Sequence, residues 1–309
     1  MRLITYIVRL SLVLFTLVVL SRCTTDEGLK PSDNTQISSR GLTAVNLIGL
    51  SLNNELVFMS AFHTVTETGL IPIAGLRTGE SMRAIDMHPK TKVLYGLSTS
   101  SVIYQISTVN GSLRPLGAPF SPAVSGDLIG FDVDPNLNLI RVMTSTYQNL
   151  KISLTTGQVI GSDAAFHIPS PAINGIAYGP VATLGGGGTG GGGFGGGTGT
   201  GTGGSSTNKA PLYAINLGNQ SLYKQTPSGT GIPTLVGGTG WVWSSEGGFD
   251  ISGSNGGFTV QYGFGINPPG NPDGVDFSKE DYRLYYIDLA TAITTSLGTV
   301  RPMMGLTVR

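Results

Sequence analysis

The sequence predicts an all-β chain folded as a five-bladed β-propeller whose closing blade is shared between N- and C-terminal strands. Three observations carry that prediction. A short phrase returns five times, as Ile85-Asp86-Met87, Phe131-Asp132-Val133, Ile176-Ala177-Tyr178, Phe249-Asp250-Ile251 and Leu306-Thr307-Val308. Its intervals are 46, 45, 73 and 57 residues, and ~40–50 residues is the span of one four-stranded blade. The last copy stands at the C-terminus, while three unclaimed strand patterns stand before the first.

Within each repeat the same elements follow in order. Behind the opening phrase comes a second apolar run, at Leu94-Tyr95-Gly96-Leu97, Leu139-Ile140-Arg141-Val142 and Leu212-Tyr213-Ala214-Ile215. A third follows at Ile103–Ile106, Leu150–Ile152, Leu222–Lys224 and Leu284–Ile287. Turn signals at Asn110-Gly111, Thr156-Gly157 and Ser228-Gly229 lead to a fourth run, ending at Gly117, Gly161, Gly237 and Gly298. Short apolar alternation bounded by Gly, Pro, Asn and Asp is the pattern of strands. No segment after residue 25 sustains helical spacing.

The fifth unit is divided between the chain ends. Leu306 to Arg309 supplies its innermost strand, and 42–45, 56–58 and 70–73 supply the second, third and fourth. Closing the circle in this way removes two exposed sheet edges that would otherwise invite aggregation. Six blades is the alternative count, if residues 42 to 83 hold a further unit.

Ahead of this domain, residues 1–22 read as a signal peptide: Arg2 and Arg9 precede an apolar stretch from Leu10 to Leu20 that is too short for a membrane span. Leu20-Ser21-Arg22-Cys23 resembles a bacterial lipoprotein processing site, with Cys23 as the lipidated residue and Arg22 standing where a small residue is usual. Residues 23–40 then form a flexible tether, and 41–309 the propeller. The acidic Asp26-Glu27 resembles surface-export signals of some Gram-negative bacteria. The chain is therefore expected to be exported, as a lipoprotein of the outer membrane or cell surface, touching membrane only through its anchor.

Composition sets further bounds. Without residues 1–22 the chain carries 15 basic and 18 acidic residues, which gives no electrostatic case for nucleic acid. Cys23 is the only cysteine, so the folded part has no disulfide, thiol nucleophile or thiolate metal site. Residues 185–204 contain 15 glycines but neither the lysine and hydroxyl of a phosphate loop nor the aspartates of a calcium repeat. They read as a disordered insertion.

The candidate site residues begin with Asp86, Asp132 and Asp250, which occupy one place in three innermost strands, with Ala177 and Thr307 in the other two. Converging carboxyls can hold a cation such as calcium or act as acid and base in glycoside hydrolysis. Repetition favours a structural role instead, each aspartate accepting hydrogen bonds within its own blade. No cofactor is predicted, calcium being the one open candidate. His63, His88 and His167 share no ligand spacing, though His88 follows Asp86 by two residues on one strand face. Asp273, Asp276, Glu280 and Asp281 make the insertion from Asn267 to Asp281 acidic, as a solvated loop or a calcium loop. Trp241 and Trp243 read as lying on opposite faces of one extended stretch, one open to a sugar and one buried.

Gly130-Phe131-Asp132-Val133-Asp134-Pro135, Leu139-Ile140-Arg141-Val142, Gln148-Asn149-Leu150-Lys151 and Thr156-Gly157, with Leu94-Tyr95-Gly96-Leu97, resemble the bacterial secreted family catalogued as the domain of unknown function DUF4394. The resemblance runs from about residue 42 to 309. It departs from the family pattern at Asn138-Leu139, where an Asp-Arg pair is usual, and matches it at Arg141, Gln148 and Asn149, which join the ligand-binding candidates. It implies a repeat β fold in exported proteins and no established activity.

Two functions fit. The first is a non-catalytic cell-envelope module, a monomer binding a glycan, a peptide or an envelope protein. The alternative is a glycoside hydrolase-like enzyme using carboxylates at the central channel. The absent nucleophile constellation favours the first.

Overall fold

The computed structural model describes residues 44–127, 129–134, 136–168, 172–179, 210–226, 228, 232–241, 243–252, 256–263 and 281–309. The segments read as signal peptide and tether, with Cys23, the whole glycine-rich insertion at 185–204, and Asp273, Asp276 and Glu280 lie outside them. Among the described residues there is no helix and there are five four-stranded antiparallel sheets.

Strands β1 (Val45–Ser51), β2 (Glu55–Ala61) and β3 (Val65–Pro72) come first, and their sheet is completed by a strand from the other end of the chain. Blade one comprises β4 (Met82–Met87), β5 (Leu94–Ser98), β6 (Ile103–Ile106) and β7 (Leu113–Pro115). Blade two comprises β8 (Ile129–Asp134), β9 (Leu139–Thr144), β10 (Asn149–Ser153) and β11 (Val159–Ser162). Blade three takes β12 (Ile173–Tyr178), β13 (Leu212–Asn216), β14 (Ser221–Gln225) and β15 (Pro233–Gly238). Blade four takes β16 (Trp243–Ser252), β17 (Gly256–Gly263), β18 (Asp281–Asp288) and β19 (Thr294–Thr299). The last strand, β20 (Met303–Val308), pairs with β1 from Leu47↔Val308 to Ser51↔Met303. The inner strands β4, β8, β12, β16 and β20 each touch the next in turn, and β20 touches β4. Five blades thus close a ring.

Two elements differ from the sequence expectation. The strand expected at 42–45 runs instead from Val45 to Ser51, because it is sandwiched between β2 and β20 and buried as a nearly continuous apolar run rather than an alternating one. The second strand of blade four, β17, has no apolar run at its start. Its first residues are glycines because a Cβ on Gly257 would stand 2.6 Å from the Phe249 ring, and one on Gly256 would overlap Tyr286.

Apolar packing lies between blades, with one buried cluster at each of the five junctions. Leu47, Val57 and Met59 meet Phe258 and Leu284 between the closing blade and blade four. Ile48 and Leu50 meet Ile85 and Leu94 on the other side, and Ala84 and Tyr95 meet Phe131 and Ile140 between blades one and two. Met143 meets Ile176 and Leu212, and Tyr213 meets Phe249 and Ile287, at the remaining two.

One residue before each repeated phrase is small: Ala84, Gly130, Gly175, Gly248 and Gly305. A Cβ on Gly130 would stand 2.6 Å from Ile176 Cγ2, and one on Gly175 would stand 2.6 Å from Phe249 Cβ, so inner strands approach here too closely for a larger residue. These positions set the spacing of the strands that line the centre.

Closure makes the C-terminal strand a structural requirement. Leu306 is buried and Val308 half-buried, and each apolar side chain of this kind contributes ~1.5–3 kcal/mol. Deleting Leu306 to Arg309 should lower the melting temperature by about 10 °C or more, on the scale of ~2–4 °C per kcal/mol for a domain of this size. Differential scanning calorimetry of the truncated chain checks this, and melting at the full-length temperature would contradict ring closure by β20.

Candidate functional site

The repeated aspartates sit at one level on the inner strands, where strand alternation sends their side chains toward the neighbouring blade. Asp86 Oδ2 accepts the backbone N–H of Val133 at 2.8 Å, and Asp132 Oδ2 accepts that of Tyr178. Asp250 Oδ2 accepts the N–H of Val308 at 2.6 Å, and Thr307 Oγ1 accepts that of Met87 at 2.9 Å. In each case the donor is one residue beyond the equivalent position in the next inner strand. The expectation that each aspartate serves its own blade is corrected in this respect: the principal partner belongs to the next blade. The fifth link is missing at Ala177, which has no acceptor, and Ile251 N–H turns instead to Asp250 Oδ1 at 2.6 Å.

The remaining oxygens are engaged as well. Asp132 Oδ1 accepts from Val133 N–H at 3.0 Å, and Asp86 Oδ1 lies 2.8 Å from Thr307 Oγ1. Thr307 Oγ1 is also 3.0 Å from Asp250 Oδ2. A hydroxyl has one proton, so it can donate to only one of these carboxyls. The other contact requires a proton on the carboxyl itself.

Electrostatics points the same way. Oxygens of all three carboxyls lie within 4.8 Å of one another, and Asp86 and Asp132 are buried. Asp250 keeps more exposed surface as a residue, but its carboxyl is enclosed by the strands. Burial, which disfavours the charged form, pushes Asp250 up to about 8, helped by the Asp86 charge. Burial raises Asp86, and burial with the neighbouring Asp86 charge raises Asp132 well above the usual range. As a metal site the group offers three carboxyls already held by strand donors, against the roughly six to eight oxygens that calcium takes.

Arg141 and Asn149 come together between blades two and three. Arg141, 1% exposed, donates through Nε to Tyr178 Oη at 2.6 Å, through Nη1 to Asn149 Oδ1 at 2.5 Å and through Nη2 to Asp163 Oδ2 at 2.8 Å. Lys151 Nζ reaches Asp163 Oδ1 at 2.7 Å. Burial works to raise Asp163, but the bonds from Lys151 and Arg141 outweigh it and hold this carboxyl below its ordinary range. Gln148 is apart, splinting the connection between blades one and two through Ser125 N–H and Ala123 O, both at 2.8 Å. Arg141 stands directly across from Asp132 in the β8–β9 register, on the same face of blade two, and Tyr178 bonds both.

His88 Nδ1 accepts from Lys90 and Thr91 N–H at 3.1 and 3.3 Å, the turn-capping part that Asp134 plays for Asn136 and Leu137. His63 packs on Phe62 and His167 is exposed. The two tryptophans share a face, contrary to the reading of opposite faces. Residues two apart on an extended chain point the same way, and both rings pack on Tyr285, at 5.1 and 6.0 Å. The small residues before each aspartate were missed in the sequence reading, although their recurrence directly ahead of the phrase was a visible signal.

Residues 55–182 match the family model described as Domain of unknown function (DUF4394). That DUF4394 segment runs from β2 through β12 and holds Asp86, Asp132 and the Arg141 network, while Asp250 and Thr307 lie beyond it. It is narrower than the span read from the sequence. Among solved structures, similarity is found to AztD of Citrobacter koseri, at 13% identity over 60% of this chain and 42% of that one, with a TM-score of 0.33. U3-55K is similar at 11% identity over 72% of this chain and 54% of that one, with a TM-score of 0.40. The chain thus spans about half the length of these structures. No curated protein matches the sequence.

Acids held protonated in the fold beyond their ordinary range keep more protons than the unfolded chain between roughly pH 4 and about 8. Their stabilising contribution is therefore full below that window and is lost as pH rises through it. The melting temperature should fall from pH 5 to pH 9 by several degrees. In Asp132→Asn that fall should shrink, leaving the variant above the parent at pH 9, since the amide oxygen still accepts and no charge can form. Thermal melts across this range check it, and an alkaline rise in stability would contradict it.

Proposed function

We propose that the protein is an exported, lipid-anchored propeller that acts as a non-catalytic binding module of the cell envelope. The observation that carries this reading is the use of the central carboxyls. Glycoside hydrolysis needs one carboxyl free to give a proton to the leaving oxygen and a second free to attack or to activate water. Here every oxygen of Asp86, Asp132 and Asp250 accepts from a strand N–H or the Thr307 hydroxyl.

The ring offers loop surfaces instead. Connections that leave the ends of first and third strands of a blade emerge at one end of the ring. In those connections Phe62, Val109, Leu137, Ile232 and Ile293 are exposed, one from each blade. The small excess of 18 acidic over 15 basic residues beyond position 22 directs the reading to a glycan, peptide or envelope protein rather than nucleic acid. The anchor rests on Cys23 directly after the apolar leader, and Cys23→Ser should move the protein from membrane to soluble fractions. Retention of the variant in membranes would sink the lipid anchor.

The test of the main reading is an array of glycans and peptides incubated with the mature chain, followed by product analysis of every ligand bound. Binding without turnover is expected. Cleavage of a bound glycan that disappears in Asp132→Asn would overturn the reading in favour of a hydrolase.

A further inference from the structure

The two ends of the ring differ in charge and in apolar surface. One end carries the connections from first to second and from third to fourth strands of each blade, and the other carries the rest. No connection at the first end contains Asp or Glu anywhere in its sequence, whereas those at the other contain Glu80, Asp127, Asp163, Asp273, Asp276 and Glu280. Asp134 and Asp288 end strands at the first end, but both are buried and cap turns through Oδ1. Lys90 and Lys92, both exposed, stand in its β4–β5 connection.

Apolar side chains follow the same division. At the first end Val109 is 85% and Ile232 83% exposed, and Phe62, Leu137 and Ile293 join them, one from each blade. Among the described residues the connections of the opposite end expose only Leu52 and Tyr147 as large apolar groups. Capped turns hold the tips outward: Val109 N–H donates to Ser107 Oγ at 3.3 Å and Leu137 N–H to Asp134 Oδ1 at 3.0 Å. Groups fixed in this way lose little freedom on docking.

The path of the chain shows which surface lies nearest. Strand β1 begins at this end, where Val45 pairs with Ala61 and Leu47 with Val308. The tether read at 23–40 therefore arrives there, and ~20 flexible residues span about 25 Å. A lipid on Cys23 thus keeps this end nearer the bilayer than the other. Apolar tips spread around a ring suit an extended, yielding surface, and a bilayer interface takes up apolar side chains while its anionic headgroups attract lysine. A second copy docked face to face would instead set two cation-bearing ends against each other.

We infer that the end of the ring holding Lys90 and Lys92 docks on an anionic phospholipid surface, with the lysines at lipid phosphates and the five apolar tips in the headgroup layer. This rests on the anchored reading above and adds an orientation, leaving the opposite end for the glycan, peptide or envelope protein. Membrane contact is then not confined to the anchor. The contact is salt-sensitive and orients the ring rather than retaining it, so Cys23→Ser still leaves the membrane fraction.

The test uses the mature chain with Cys23→Ser, so that no lipid contributes, and vesicles of phosphatidylcholine alone or mixed in equal parts with phosphatidylglycerol. In flotation at low salt the mixed vesicles should bind the chain at least about ten-fold better than the neutral ones. Lys90→Gln with Lys92→Gln should remove most of that preference, and Val109→Ser with Ile232→Ser should weaken binding to mixed vesicles about five-fold or more. These side chains are exposed, so melting temperatures should stay at the parent value, and Tyr147→Ser at the opposite end should leave binding unchanged. Equal binding to the two kinds of vesicle, or binding that the lysine and apolar variants leave untouched, would overturn the inference. So would a dimer in sedimentation, or capture of an arrayed peptide, that Val109→Ser with Ile232→Ser abolishes, since a protein would then occupy this end. Failure on vesicles would leave the anchor and the binding module standing, because cell fractionation and the ligand array read those separately.

Discussion

Everything else in this ring depends on one contact: a side chain of one inner strand accepts the backbone N–H of the next. Apolar clusters fill all five junctions, but apolar packing is non-directional and does not by itself set how far one blade slides along another. The links from Asp86 to Val133, Asp132 to Tyr178, Asp250 to Val308 and Thr307 to Met87 do set it, because a hydrogen bond tolerates little displacement. The small residues two positions earlier make the link possible by letting neighbouring inner strands come close. Position and spacing are therefore specified by residues two apart on the same inner strand.

The same arrangement explains why the most chemically suggestive group in the chain has a structural occupation. Three carboxyls at one level of a narrow ring cannot all be charged without large desolvation and mutual repulsion. Backbone donors answer part of that cost, and retained protons answer more of it. The other two blades contribute a hydroxyl, Thr307, and a methyl, Ala177. A fourth and fifth carboxyl would deepen the repulsion, whereas a hydroxyl still links blades without charge.

Much of this was legible in the sequence, and the limits have physical causes. The five-fold phrase, the strand series and the split closing blade all appear in the sheet order, because blade length and turn chemistry repeat. The direction of the aspartate bonds did not appear, since periodicity places a residue on a strand but does not say whether its partner is on the same sheet or the next. Strand β17 begins with Gly256-Gly257, which carry no hydrophobic signal, although sterics against Tyr286 and Phe249 demand them. Arg141 and Asn149 were visible only as family-like residues, and the further partners of Arg141, Asp163 and Tyr178, stand 22 and 37 residues away in sequence.

The central claim is that the three inner aspartates are strand-linking groups that retain at least one proton among them, rather than free carboxylates. Carbon-13 NMR titration of their side-chain carboxyls in the full-length protein tests it most directly. The account predicts that at least one of Asp86, Asp132 and Asp250 stays protonated at neutral pH, with Asp250 losing its proton only near about 8. Three carboxyls that all titrate around the ordinary aspartate value of ~3.9 would contradict it.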